Sequence, residues 1–274
     1  MPEWMIVIFQ GVVQGVTEFL PVSSTGHLLV FSALLDFEQS MNGTFEIFIQ
    51  IGTLFAVMLF YRHDLYQQVR TVRTDRTVQR LWLNIVLASV PISVVGLLFL
   101  DFIETEIFPP DRAPTVIAVT LIIGGIVFIV VEQRHTVDVN TATAHLSDIT
   151  WQQAVIVGLA QALALIPGTS RSGASIIGAL IVGLDRPTAT AFSFYLAIPV
   201  LAGATVLQLL FSLDELSMDD LIVLFSGAFV AGWVAWLTIG WLLRFVSHRD
   251  FTIFGTYRII AGIILILMIA GGIL

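Results

Sequence analysis

The chain has 274 residues, 57% of them hydrophobic and only 12% charged, with a mean hydropathy of +0.94. Soluble domains carry roughly 25% charged residues, so the composition is that of an integral membrane protein. The 12 basic residues are all Arg, the net charge is −8 and Cys is absent, which excludes a basic nucleic-acid footprint, disulfides and thiolate chemistry together.

Ten apolar segments are predicted, at about 4–20, 22–35, 44–61, 82–100 and 115–132, then 151–166, 171–184, 188–211, 219–243 and 253–274. No basic leader or cleavage site precedes the first, so no removable signal peptide is expected. A span needs roughly 20 apolar residues, and the second segment of each half is too short. The first of each half runs into Pro21 or Pro167 and a Ser/Gly-rich bend, where proline disfavours helix in the residue before it and removes a donor. Each such pair reads as a re-entrant helix pair that enters and leaves on one side; a tight hairpin crossing fully is the alternative. Irregular backbone at membrane depth is tolerated only where it is buried in protein or lines a cavity.

The two sets of five are a repeat at an offset of 147: Trp4 meets Trp151, Gly11 meets Gly158, Gln14 meets Gln161, Ser23 meets Ser170 and Gly26 meets Gly173. Phe45 meets Phe192, Ile51 meets Ile198 and Leu54 meets Leu201 along the same diagonal. A constant offset through Trp, Gln, Ser and Gly is a repeat rather than chance. The expected organisation is a single membrane domain over 1–274, with repeat 1 at about 1–135 and repeat 2 at about 148–274.

Arginine placement sets an orientation. Arg62, Arg70, Arg73, Arg76 and Arg80 lie in the loop 62–80, which by the positive-inside rule is cytoplasmic. With three true spans per half, Arg134, Arg186, Arg244 and Arg249 also fall inside. The segments 36–43, 101–114 and 212–220 fall outside with only Arg112. Three spans is an odd number, so the second half is inserted upside down. The expected fold is an all-α polytopic membrane protein of two inverted five-segment repeats, each with a re-entrant pair and three transmembrane helices, whose polar bends approach from opposite faces.

Those bends carry the chemistry. Gln14 and Glu18 are four apart and share a helix face, and a carboxylate in an apolar segment is costly, by roughly 2.5–3.5 kcal/mol at mid-helix, and so functional by default. FLPVSSTGH (19–27) follows with Ser23, Ser24, Thr25 and His27; the second bend, LIPGTSRSGA (165–174), holds Ser170, Arg171, Ser172 and Gly173, with Ser175 just beyond. Hydroxyls and backbone N–H groups at a glycine-eased helix start form an anion seat, and Arg adds forked donors. A carboxylate, hydroxyls and an imidazole on one side and an anion cradle on the other suit a phosphate ester bound through a divalent cation.

GVVQGVTEFLPVSSTGH (11–27) and PGTSRSGAS (167–175) resemble the two signature motifs of the undecaprenyl-diphosphate phosphatase family of the bacitracin-resistance type. The similarity extends through FEIFIQIGTLFAV (45–57), FSFYLAIP (192–199) and the YR pair at 257–258, and so covers essentially the whole chain. The resemblance implies a polytopic membrane enzyme with interlocked inverted repeats. It would remove the terminal phosphate of polyprenyl diphosphate and return the monophosphate carrier lipid to cell-wall assembly, an activity that underlies bacitracin resistance. Two departures stand out: Gln14 where many members have Glu, and Ser175 where a Thr is common.

On this resemblance the expected catalytic residues are Glu18, His27, Ser24 and Arg171. Ser23, Thr25, Ser170, Ser172, Gly173 and Ser175 are expected to bind substrate, and Glu18 with Gln14 to hold a cation, Mg²⁺ or Ca²⁺. Blander roles stand beside these. Glu18 is otherwise a structural carboxylate bonded to the serines, Arg171 its ion-pair partner, and His27 a buried capping residue. The attacking group is His27 or Ser24. Glu46 and Gln50 share a face of the third segment and either support the site or pack, while Arg258 snorkels or pairs structurally, with a functional role as the alternative. The expected partners are the polyprenyl diphosphate lipid and the bilayer, with no nucleic acid and with a homodimer as a candidate assembly. The expected location is the cell membrane, with the site facing outside. The rival reading is a transporter of polyprenyl phosphate lipids, alone or alongside hydrolysis, because inverted repeats with broken helices are also transporter anatomy.

Overall fold

The computed structural model describes residues 2–35, 37, 44–107, 112–135, 143–212 and 218–274. Among these there is no strand, only one isolated bridge between Thr143 and Leu184. In a chain this apolar, helix is the local solution that satisfies every backbone group without water. The helices are α1 Glu3–Thr17, α2 Ser24–Leu34, α3 Thr44–Phe60, α4 Arg62–Thr71, α5 Arg76–Phe102 and α6 Ala113–Arg134. They are followed by α7 Trp151–Ala162, α8 Arg171–Ile181, α9 Arg186–Ser212, α10 Met218–Val246 and α11 Thr252–Ala270.

Among the described residues five helices, α5, α6, α9, α10 and α11, are long and apolar enough to cross a membrane. The sequence reading expects six. The sixth, α3, has 17 residues and reaches about 26 Å, short of a hydrocarbon core of about 30 Å. The paired segments are shorter again: α1 and α2 have 15 and 11 residues, α7 and α8 have 12 and 11. The Arg-rich loop 62–80 carries a helix of its own, α4, none of whose residues is buried. Asp64 in its first turn and Arg70 in its last complement the helix dipole, and Arg70 lies over the Tyr66 ring at 5.5 Å.

Packing is reciprocal between the halves. Helix α1 lies against α10, and α7, its repeat mate, lies against α5, the mate of α10; α3 meets α9 and α6 meets α11. Each half thus packs its first helix on the fourth membrane segment of the other. Close approach is made possible by small residues, as membrane helices require. A Cβ at Gly11 would press on the Gly227 carbonyl, and a Cβ at its mate Gly158 on that of Ala88. The centre is filled by Phe19, Phe128, Phe192, Phe194, Tyr195 and Phe251, all buried. The outer faces are apolar and exposed, with Ile222 and Phe229 at 73% and 75%, as expected of surfaces bathed in lipid. At one end, Glu132 of α6 accepts a forked pair of bonds from Arg186 of α9, the shortest 2.7 Å, and a bond from the Phe251 N–H before α11.

Candidate active site

Both bends are built the same way. Helix α1 ends at Thr17, Glu18 continues the helical conformation, and the chain turns through Pro21 to Ser23. Ser23 caps α2 with φ 72°, its Oγ accepting from the Gly26 N–H at 3.4 Å. In the second half a 3₁₀ turn, Leu163–Leu165, leads through Pro167 to Ser170. Ser170 caps α8 with φ 73°, accepting from the Gly173 N–H at 3.1 Å. Among the described residues these repeat-related serines are the only non-glycine residues with positive φ. Holding such a conformation costs of the order of 1–3 kcal/mol and needs surrounding structure to impose it. Gly168, at φ 85°, has no alternative: a Cβ there would collide with Thr120 Oγ1, which donates to the Pro167 carbonyl at 2.7 Å.

The bends enclose a cavity of about 140 Å³ lined by Glu18, Ser23, Ser24, Thr25, Gln50, Ala164, Pro167, Gly168, Ser170, Arg171 and Leu201. Across it Arg171 Nη2 meets Glu18 Oε1 at 3.2 Å, with the side chains only 10% and 7% exposed. Glu18 Oε2 accepts from Ser24 Oγ at 3.0 Å and from Gln14 Nε2 at 3.1 Å. Arg171 Nη1 donates to the Ser193 carbonyl at 3.2 Å, and its guanidinium lies 6.0 Å from the Phe19 ring. Two buried polar atoms here have no partner, the donor Arg171 Nε and the acceptor Gln14 Oε1. A buried unsatisfied group is costly, and these two would serve an anion and a cation respectively.

Of the expected site residues, Glu18, Ser23, Ser24, Thr25, Ser170 and Arg171 line the cavity, and Gln50 joins them while Glu46 does not. Gln14 stands behind Glu18. Ser172, Gly173 and Ser175 are buried behind the second bend. Ser172 Oγ donates to the Leu20 carbonyl at 3.0 Å, stitching one bend to the other. Ser175 Oγ pairs with Ser193 Oγ at 2.7 Å. Both hydroxyls are spent on holding backbone and neighbour, so these residues shape the cradle from outside.

His27 lies on the far side of α2. Its Nδ1 is 2.7 Å from the Ser23 carbonyl and its Nε2 is hydrogen-bonded to the Tyr257 hydroxyl, with the two rings stacked at 5.6 Å. It lines a separate, mostly apolar groove of about 230 Å³ between α2, α6 and α11. Arg258 does not snorkel but pairs structurally, with backbone carbonyls rather than, among the described residues, with a carboxylate. It is fully buried and donates to the carbonyls of Pro21 at 3.2 Å, Thr120 at 3.2 Å and Gly168 at 3.1 Å. Placing a guanidinium so deep is tolerated because three carbonyls accept from its two terminal nitrogens, its Nε being left without a partner, and it thereby ties both bends to α6. The YR pair was the only sequence signal for either α11 residue. Ser193 was signalled only as part of the FSFYLAIP stretch at 192–199.

The model of the bacitracin resistance protein BacA family matches residues 7–264. Similar curated proteins include the undecaprenyl-diphosphatase of Deinococcus radiodurans, 41% identical over 275 residues, covering 99% of this chain and 97% of the relative. That of Albidiferax ferrireducens is 44% identical over 259 residues, covering 93% and 91%. That of a Janthinobacterium species is 44% identical over 261 residues, covering 95% and 93%. With the repeat-related bends and the Glu18–Arg171 pair between them, these matches leave one assignment: the chain belongs to the bacitracin resistance protein BacA family.

Proposed function

We propose that this membrane protein hydrolyses undecaprenyl diphosphate, or a closely related polyprenyl diphosphate, to the monophosphate carrier lipid and orthophosphate. The observation that carries this reading is a carboxylate–hydroxyl–guanidinium set, the buried Glu18 with the partly buried Ser24 and Arg171, facing one polar cavity in an otherwise apolar bundle. A binding site for transport needs no hydroxyl activated by a carboxylate, and the relatives are named as diphosphatases, which favours hydrolysis over transport.

In this reading the diphosphate enters the cavity and draws Arg171 from Glu18 onto its oxygens, with Arg171 Nε supplying a further donor. Glu18 then takes the proton of Ser24 as its Oγ forms a bond to the terminal phosphorus, and the bond from that phosphorus to the bridging oxygen breaks. The prenyl monophosphate leaves with the proton that Glu18 took, so the carboxylate is again free to accept one. It deprotonates water as the water oxygen bonds to phosphorus, the bond from phosphorus to Ser24 Oγ breaks, and Glu18 returns the proton to Oγ as orthophosphate leaves. Arg171 and the Ser170 cap stabilise charge on the transferring group, where preorganised donors act most strongly. Ser24 is preferred over His27 as the attacking group because only Ser24 lines the cavity.

The donors present fit a hard divalent cation shared with substrate. Among the described residues no three His, Asp or Glu side chains cluster, but Mg²⁺ commonly takes one or two carboxylates and completes its shell with substrate phosphates. Glu18 and the unpartnered Gln14 Oε1 would hold Mg²⁺ or Ca²⁺, which would neutralise phosphate charge there.

The test is orthophosphate release from farnesyl and long-chain prenyl diphosphates by purified protein. Arg171→Ala should lower turnover about a hundredfold or more, the typical cost of one lost charge-stabilising donor. Arg171→Lys, which keeps the charge and loses the fork, should retain a small residue. No release by the unaltered protein, or normal release by Arg171→Ala, would overturn the reading.

The two repeats are further proposed to be inverted, with re-entrant pairs, in the cell membrane with the cavity opening outward. The reciprocal packing of α1 on α10 and α7 on α5 supports this, as does the clustering of Arg in the loop 62–80. Single cysteines on this Cys-free chain check it. A membrane-impermeant reagent should label positions 38 and 214, which lie outside the described residues, on intact cells, and position 73 only after permeabilisation. Labelling of all three from one side would remove the inverted arrangement.

A further inference from the structure

We infer that Tyr257 is a positioning residue for the phosphatase reaction, acting through His27 to hold the first bend; this rests on the phosphatase reading above. Three observations carry it. The Ser23 carbonyl can only accept, so the 2.7 Å contact requires His27 to carry its proton on Nδ1. In the neutral ring Nε2 is then an acceptor, and it is the Tyr257 hydroxyl that donates to it. The rings stack within 7° of parallel, so Tyr257 fixes both the tautomer and the plane of the imidazole.

The third observation is what the imidazole grips. Ser23 is one of the two strained serine caps, at φ 72°. Its neighbour Ser24 begins α2 and presents its hydroxyl to Glu18 at 3.0 Å. The second bend has no counterpart: the repeat mate of His27 is Ala174. There the strained cap is held instead by Ser172, which contacts Ser170 Oγ at 3.1 Å and reaches across to the Leu20 carbonyl. In the first half the residue at the place of Ser172 is Thr25, which is exposed and lines the cavity. A hydroxyl facing substrate cannot also brace the bend, so the brace comes from outside, from α11 by way of His27. Both ring nitrogens are committed on the side of α2 away from the cavity. The imidazole therefore orients Ser23 and Ser24 and does not meet phosphorus.

This assigns the His27 side chain one task, donation from Nδ1, which an asparagine amide reproduces and an alanine does not. Orthophosphate release is measured for Tyr257→Phe, His27→Asn, His27→Ala and the double variant Tyr257→Phe/His27→Asn, each with its melting curve in detergent. Tyr257→Phe keeps the ring on a half-exposed helix face and should melt like the unaltered protein. Its kcat should fall about tenfold with KM within about twofold, the pattern of an interaction felt only in the transition state. His27→Asn should retain at least about tenfold more activity than His27→Ala, and adding Tyr257→Phe to it should cost nothing more, because the tyrosine acts only through the imidazole. Normal kcat in Tyr257→Phe overturns the inference. So does His27→Asn that folds and is as inactive as His27→Ala, or a multiplied loss in the double variant. Absence of phosphate release from the unaltered protein would instead remove the phosphatase reading beneath it.

Discussion

Glu18→Gln is expected to reduce orthophosphate release by about a thousandfold or more, equivalent to roughly 4 kcal/mol of barrier. The substitution keeps size and hydrogen-bonding capacity while removing charge and basicity. Ser24 Oγ donates to Glu18 Oε2, so the amide leaves the hydroxyl without a proton acceptor, a loss of general-base assistance worth about 10²–10⁴ in rate. Arg171 loses its ionic partner, and breaking a buried pair from one side destabilises by about 3–5 kcal/mol. A lower melting temperature in detergent should therefore accompany the lost activity. Turnover close to that of the unaltered protein would remove Glu18 from the chemistry.

Arg258→Leu should act on folding and chemistry together. Its guanidinium answers carbonyls of both bends and of α6, and leucine leaves all three facing an apolar interior. Unsatisfied carbonyls cost about 1–3 kcal/mol each, and at about 2–4 °C per kcal/mol for a chain of this size class the melting temperature should fall by at least about 5 °C. The bends would lose register, and turnover should fall about a hundredfold or more, by analogy with misplaced catalytic groups. Arg258→Lys retains a charge and donors without the fork and should lie between. A leucine variant that melts and turns over normally would mean that the two bends hold each other without α11.

The repeat and the bends were legible in the sequence for a physical reason. A side chain at a helix break is chosen by backbone geometry, so Ser23 and Ser170 recur at one offset with a shared positive φ, and Gly26 and Gly173 recur as the donors to those two caps. Glu18 and Arg171 were legible because charge is scarce in apolar sequence. The roles of His27, Ser172, Ser175 and Arg258 were not. Each sits in or beside an apolar helix, and whether it faces the cavity or the packing behind it depends on the rotation of that helix against partners far away in the chain. His27 meets Tyr257, Ser172 meets Leu20 and Arg258 meets Pro21; no local spacing encodes such pairs. Segment length was legible at α3, where the apolar run 44–61 is the helix Thr44–Phe60; its 17 residues fall short of the roughly 20 that a span needs. The Arg-rich loop hid α4 because its apolar residues are few and its helix rests on end charges.

The clamp on the two bends comes from α11, 237 residues along the chain from Pro21 and 90 from Gly168. While the chain is still being synthesised, Glu18, Ser24 and Arg171 are all in place in the polymer before residue 258 has been added. Yet the carbonyls of Pro21 and Gly168 have no guanidinium to join them. Helix α1 likewise waits for α10. Joining of the two bends is thus tied to a helix made after both of them, so the carbonyls of Pro21 and Gly168 come under one guanidinium only once α11 has packed on α6.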